Sequence, residues 1–407
     1  MRFLLVLFSL FVILLGCENP PTTVLNEGIW RAKLTTMDNQ ALPFNFQLKK
    51  GTQGYFMEIY NAREVVMVDE ILIRGDSIKI KMPVFEGYIN AQFNDSLING
   101  FFIKESLDRK VPFSASFGDS TRFLVKEDPS VNISGIWETI FSADTEEEYM
   151  AKGIFTQQGR MVSGTFRTNT GDYRYLEGNI KGDSLLLSTF DGAHAFLFKA
   201  KVTDSTLNGY FYSDNHFKEP FYAFRNEGYE LPDEASLTFM NEGYEEISFS
   251  FPDVNNKIVS LKDPQFKNKV ILIQVMGTWC PNCLDETKFL TEYVHKNPFD
   301  DFEVVALAFE YAKTEESAIN AINRLVERIG VNYPILLAQF GSSSKVKANE
   351  KLPMLNHVIS YPTTIFIDKK GKVRKIHTGF NGPATGEKYE EFKKEFNSYI
   401  MELRSEI

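Results

Sequence analysis

The strongest constraint on the fold is that a stretch of about 100 residues is written twice. Gly28-Ile29-Trp30 returns as Gly135-Ile136-Trp137, and Gly75-Asp76-Ser77-Ile78 returns as Gly182-Asp183-Ser184-Leu185, each 107 residues later. Phe85-Glu86-Gly87 matches Phe190-Asp191-Gly192, and Asp95-Ser96-Leu97 through Phe101 matches Asp204-Ser205-Thr206-Leu207 through Tyr210. Lys110-Val111-Pro112-Phe113 matches Lys218-Glu219-Pro220-Phe221. The matches keep their order and their offset stays within 105–109 residues. Both copies consist of strand-sized runs of β-branched and aromatic residues, punctuated by Gly, Asn and Asp, and neither holds a helical period. The expectation is two tandem antiparallel β meanders, over 28–127 and 134–226, each closed as a barrel or folded as a sandwich.

A chain of 407 residues has room for more than these two units. Residues 227–250 are acidic and read as a linker. Beyond them strands alternate with helical periods, the pattern of a βαβ domain with a parallel sheet over 251–407. The formal charge of −10 excludes nucleic acid as an expected partner, because phosphate binding rests on clustered Lys and Arg. The G-x-W opening of each repeat resembles that of lipocalin-like barrels, in which the Trp closes one end.

Three cysteines carry most of the functional information. Residues 1–16 comprise Met1-Arg2, thirteen residues from Phe3 to Leu15 that are apolar except Ser9, and Gly16. That run is shorter than the roughly 20 residues of a membrane-spanning helix and has the layout of a secretory signal. Leu14-Leu15-Gly16-Cys17 resembles the lipobox of bacterial lipoproteins, which implies that Cys17 is acylated and becomes the mature N-terminus. Residues 17–27 then read as a polar tether, and the expected location is the cell envelope of a bacterium, facing the periplasm or on the outer membrane. Cys280 and Cys283 remain, spaced C-x-x-C. Two thiols make no disulfide framework in an exported chain of this size. His194, His216, His295, His357 and His377 are too scattered to complete a zinc site by spacing. A redox-active dithiol is expected, with no metal and no separate cofactor.

The apolar run Val270–Ile273 reads as a central strand, followed by Gly277-Thr278-Trp279-Cys280-Pro281-Asn282-Cys283 and a helix. Pro281 suits the first helical turn, where its missing N–H is no loss. Cys280 is thereby placed at the helix N-terminus, where free N–H groups favour thiolate. Cys283 lies one turn in, within reach of a mixed disulfide formed by Cys280.

Residues 250–400 resemble the thioredoxin superfamily and, within it, the TlpA/ResA-type exported thiol–disulfide oxidoreductases. The likeness rests on Trp279-Cys280-Pro281-Asn282-Cys283, on Glu286 three residues after the second cysteine, and on Tyr361-Pro362-Thr363 through Asp368 followed by Gly371. It implies that Cys280 is the nucleophile and Cys283 the resolving thiol. Trp279, Tyr361 and Pro362 would then border the substrate, Pro362 through a cis peptide bond beside the sulfurs. Glu286 would relay a proton to or from the resolving thiol; as an amphipathic-helix carboxylate it is otherwise a solvated residue. Gln274 stands six residues before Cys280, where thioredoxin itself has a buried Asp. The Pro-Asn dipeptide puts proline first, as strongly oxidising members do, so the direction of electron flow stays open.

The expected activity is reduction of protein disulfides, with an upstream electron donor as second partner. Two other readings compete with it. In one, the β repeats bind an envelope ligand or partner and carry the function themselves. In the other the chain is a thiol peroxidase, but those enzymes usually need Thr or Ser where Gly277 stands. The polar segment Gly164–Tyr175 reads as a solvated hairpin, with recognition of a partner as the alternative.

Overall fold

The computed structural model describes residues 24–232 and 237–406. The leader and Cys17 lie outside the described residues. Among those described, no helix is long and apolar enough to cross a membrane.

The first repeat is a nine-stranded antiparallel meander. Its strands are β1 (Gly28–Thr35), β2 (Ala41–Gly51), β3 (Gly54–Asn61), β4 (Glu64–Val68), β5 (Glu70–Arg74), β6 (Ser77–Lys81), β7 (Tyr88–Phe93), β8 (Leu97–Lys104) and β9 (Arg109–Phe117). The strand order β4-β3-β2-β1-β9-β8-β7-β6-β5 brings the first and last strands together, with Trp30 opposite Phe117. Period-two alternation sends Trp30, Ala32 and Leu34 inward from β1. The ring is not sealed, because no ladder joins β4 to β5.

The second repeat comprises β10 (Gly135–Phe141), β11 (Tyr149–Gln158), β12 (Met161–Thr168), β13 (Gly171–Asp172), β14 (Leu176–Lys181), β15 (Ser184–Phe190), β16 (Ala195–Val202), β17 (Thr206–Ser213) and β18 (Phe217–Arg225). Here β13, the counterpart of β4, is two residues long. That leaves β12 free to pair with β14 as well as with β11, and the barrel closes. Its lumen is filled by side chains: Phe141, Phe166, Phe198, Phe211 and Phe221 pack with ring centroids 4.7–6.4 Å apart. In each unit the signature Trp is fully buried and donates its indole N–H four residues back, Trp30 to the Asn26 carbonyl (3.1 Å) and Trp137 to that of Ile133 (2.8 Å). Repeated sequence thus yields repeated hydrogen bonding.

The two units are fused. Phe190 enters the core of the first unit, 4.5 Å from Phe44, and its main chain exchanges hydrogen bonds with the side chain of buried Asn61. Buried Lys104 pairs with buried Asp214 at 2.8 Å.

The C-terminal domain is a five-stranded mixed sheet of order β23-β22-β21-β24-β25. Its strands are β21 (Val270–Met276), β22 (Phe302–Phe309), β23 (Ile335–Gln339), β24 (Thr363–Ile367) and β25 (Val373–Thr378), preceded by the small ribbon β19 (Ser250–Pro252) and β20 (Ile258–Ser260). β21 is central, parallel to β22 and antiparallel to β24, and every residue of it is buried. Helices α1 (Pro281–Lys296), α2 (Glu315–Ile329), α3 (Lys345–Lys351) and α4 (Glu387–Ser405) complete it. The aromatic stripe of α4 is core packing, as its period suggests: Phe396 meets Phe289 and Tyr293 of α1 at 4.9 Å each.

Both repeats lean on this domain. Val84 and Phe85 of the first and Ala193 of the second join its hydrophobic core. Close by, Glu70 pairs with Arg324 (2.6 Å) and Arg328 of α2, and Arg324 also donates to the Met82 carbonyl. The acidic connector also packs down, since Asn241 N–H donates to the Met354 carbonyl (2.8 Å).

Candidate active site

The site is built where β21 ends and α1 begins. Cys280 is the N-cap residue of α1 and Pro281 its first helical residue, so the Cys280 sulfur faces the unpaired N–H groups of the first turn. One of these, Cys283 N–H, reaches the Cys280 Sγ at 3.1 Å. The two cysteines form a disulfide, with Cα atoms 5.2 Å apart. In the reduced protein the same N–H groups and helix dipole favour thiolate at Cys280 over Cys283.

Tyr361 reaches this sulfur, with Trp279 packed on Tyr361 and Pro362 next in the chain. The Trp279 indole N–H is tied to the Phe309 carbonyl at 2.9 Å, and its ring lies edge-on to Tyr361 at 5.5 Å. The Tyr361–Pro362 bond is cis, and the Tyr361 carbonyl oxygen lies 3.4 Å from Cys280 Sγ. Residues 81 positions apart in sequence are thereby in contact.

Glu286 departs from the solvated reading. It lies on the inner side of α1 and is 1% exposed. One carboxylate oxygen accepts from the Gln274 amide (2.8 Å), the other from the Thr364 hydroxyl (2.6 Å). Burial pushes its carboxyl up to about 7, against the lowering effect of those two hydrogen bonds. Gln274 is therefore a partner of the buried acid, and its amide oxygen also accepts from Thr287.

A second buried acid escaped the sequence reading. Glu310, directly after β22, accepts both the N–H (2.8 Å) and the hydroxyl (2.7 Å) of Thr278 in the loop leading to the dithiol. Burial raises its carboxyl to about 7 as well, against the bonds from Thr278. Its one sequence signal is position. It stands at the carboxyl end of a parallel strand, where open α/β sheets place their sites.

The segment read as a solvated hairpin is buried against the dithiol. Arg167, Asp172 and Arg174 are each at most 7% exposed. Arg174 donates to the carbonyl of Pro281 at 3.0 Å and pairs with Asp285 at 3.1 Å, and also with Glu64 of the first repeat. Asp172 accepts from Gly382 N–H at 2.5 Å. Burial and the nearby Asp285 charge push the Asp172 carboxyl up to about 6, opposed by the Gly382 and Arg174 N–H groups and the Arg174 charge. A cleft of about 570 Å³ opens beside it, lined by Tyr149, Thr168–Tyr173, Pro232 and Asn282 among others. Among the described residues no three His, Cys, Asp or Glu side chains are grouped to hold a metal ion.

Comparison with known proteins finds a match to this region. Residues 242–392 fit the family described as Redoxin. The thiol-disulfide oxidoreductase ResA of Bacillus thuringiensis subsp. konkukian (strain 97-27) is 30% identical over 155 residues, covering 38% of this chain and 78% of that protein. The thioredoxin-like protein YneN of Bacillus subtilis (strain 168) is 29% identical over 140 residues, covering 34% and 73%. ResA of the same strain is 29% identical over 145 residues, covering 36% and 72%. With a C-x-x-C disulfide at the start of α1, a proline loop against it and 30% identity to ResA over 78% of that protein, the chain belongs through its C-terminal domain to the thioredoxin superfamily, among its TlpA/ResA-type thiol–disulfide oxidoreductases.

Proposed function

We propose that this protein is a lipid-anchored reductase of protein disulfides that works outside the cytoplasm of a bacterium. The observation that carries the reading is the position of Cys280 as N-cap of α1 with Cys283 bonded to it. In the reduced enzyme the Cys280 thiolate attacks one sulfur of a substrate disulfide and expels the other as thiolate. The Cys283 thiol then loses its proton and attacks Cys280 Sγ, releasing the second substrate thiolate and leaving the Cys280–Cys283 disulfide. Two electrons have moved to the substrate. An upstream dithiol donor restores the enzyme by the same exchange in reverse. Glu286 is the group proposed to take the Cys283 proton, since a carboxyl near 7 exchanges protons readily at neutral pH. Trp279, Tyr361 and Pro362 are proposed to border the bound substrate.

The leader and Cys17 support the location. Cys17→Ser is expected to move the protein from the membrane to the soluble fraction of cells. Persistent membrane fractionation of that variant would count against acylation at Cys17. The activity is tested by insulin reduction with dithiol regeneration, together with the equilibrium potential of the dithiol. Fast turnover at a thioredoxin-like potential supports a reductase; a potential near the values of strong oxidants, with no turnover, reverses the direction.

A further inference from the structure

A protein disulfide can react only if one of its sulfurs reaches Cys280 Sγ, and that sulfur is walled in. Cys280 is 4% exposed and Cys283 fully buried. Part of the wall is the redox domain's own Trp279 and Tyr361. The second barrel lies against the loops on which these residues stand.

The hairpin of β12 and β13 reaches the active-site loop with its main chain. The Asn282 side chain, between the two cysteines, exchanges two hydrogen bonds with Asp172, donating to its carbonyl (3.1 Å) and accepting from its N–H (3.2 Å). At the proline loop, Ser360, two residues before Pro362, donates its hydroxyl to the Thr170 carbonyl at 3.2 Å. The hairpin thus spans from the C-x-x-C motif to the proline loop. The approach is too close for side chains. A methyl group at Gly171 would overlap the Asn282 amide, and one at Gly379 would meet the Thr170 main chain at 2.5–2.7 Å.

Arg174 locks the hairpin down. It adopts φ 57°, unusual for a residue with a side chain, and its N–H is held by the Asp172 carboxylate at 2.6 Å. Its guanidinium, 4% exposed, ties the second barrel (Asp191, 3.9 Å) to the first (Glu64) and to the redox domain (Pro281 carbonyl and Asp285).

We propose that the Thr168–Arg174 hairpin is an autoinhibitory cap, held in the place of an incoming substrate segment, and that protein disulfides are reduced only after it lifts. The proposal rests on the oxidoreductase reading above and adds its regulation. Because a substrate that needs the lifted state meets only the fraction of molecules in that state, weakening the cap should raise the rate.

Two full-length variants weaken it by unrelated means. Gly171→Ala introduces the overlap with Asn282, and Arg174→Ala removes the cation that Asp285, Glu64 and Asp191 share, leaving their mutual repulsion less screened, which favours opening to water. In each, hydrogen exchange at Asp172 and Gly382 should quicken and insulin reduction should rise by about tenfold or more. The equilibrium potential of the dithiol should stay at the wild-type value, and Arg174→Lys should fall between wild type and Arg174→Ala. If the wild type already reduces insulin as fast as variants whose hairpin exchange has quickened, the cap is wrong and the oxidoreductase reading stands. Unchanged exchange in both variants also overturns it, because the named contacts then do not hold the hairpin. If no form reduces insulin, even with the hairpin lifted, and Cys280 forms no mixed disulfide, the oxidoreductase reading itself fails and the cap falls with it. Should Arg174→Ala fail to fold, Gly171→Ala decides alone.

Discussion

At the scale of single residues, the site depends on acids kept out of water. Glu286 and Glu310 are buried and held by neutral donors. Such donors only partly offset desolvation, so both carboxyls sit near 7. The stability consequence has a definite sign. A carboxyl raised from 4.5 to about 7 on folding binds its proton more tightly in the native state. Its contribution is present in full below about pH 4.5 and is lost as pH rises through about 7. For Glu286 the full loss is on the order of 3 kcal/mol. Glu286→Gln should therefore flatten the fall in melting temperature between pH 5 and 8. If the carboxyl also carries the Cys283 proton, the variant should slow disulfide reduction by about tenfold or more near neutrality, within the range for general acid–base catalysis, and lose the inflection near 7. A flattened stability curve with a superimposable pH–rate profile would leave Glu286 a structural acid and remove it from the mechanism.

At the scale of elements, α1 converts a four-residue spacing into two unlike thiols. Only Cys280 stands before the first turn; Cys283 is inside it and fully buried. Cys280→Ser should abolish exchange, while Cys283→Ser should accumulate a covalent complex with substrate, seen as a mass increase removed by dithiothreitol. Trapping by Cys280→Ser and not by Cys283→Ser would invert the roles. This much was legible in the sequence because C-x-x-C, Pro281 and the apolar run of β21 are local, and local order decides the geometry of a strand–loop–helix unit. The repeated Gly-x-Trp was legible for the same reason. What stayed hidden depends on contacts through space. The openness of the first barrel turns on five-residue β4 where the second has two-residue β13, a difference that composition does not signal. The polar segment 167–174 looks solvated because Arg and Asp usually are. It is buried because its partners, Glu64, Asp285 and Gly382, arrive from two other units. Glu310 was missed because neither periodicity nor a motif marks a single acid after a strand.

At the scale of the whole molecule, the barrels and the redox domain are joined by charged contacts of opposite pH sense. Glu70 faces Arg324, Arg328 and Lys81; burial opposes them, yet its carboxyl is held at about 2. Its contribution is present above about pH 4.5 and fades as pH falls through about 2. Asp172 behaves inversely. Asp285, Arg174 and the Gly382 N–H face it, with Glu64, Asp191, Lys288 and His194 attached to the same network. A carboxyl lifted from 3.8 to about 6 by docking favours the docked state most below pH 3.8 and loses that advantage as pH rises through about 6. Asp285 is raised too, chiefly by burial, and acts in the same direction. From pH 4.5 to 7 the Glu70 contact is constant while the Asp172 contact weakens. The hairpin should open more readily at neutral than at mildly acidic pH, by about twentyfold in the opening equilibrium from Asp172 alone. Hydrogen exchange at Asp172 and Gly382, corrected for the intrinsic pH dependence of amide exchange, measures this. Asp172→Asn keeps the side-chain shape without the titration and should reduce the slope, leaving the share due to Asp285. An unaltered slope in that variant would mean that the docked carboxyl is already ionised at pH 4.5 and that the Arg174 charge outweighs burial at this junction.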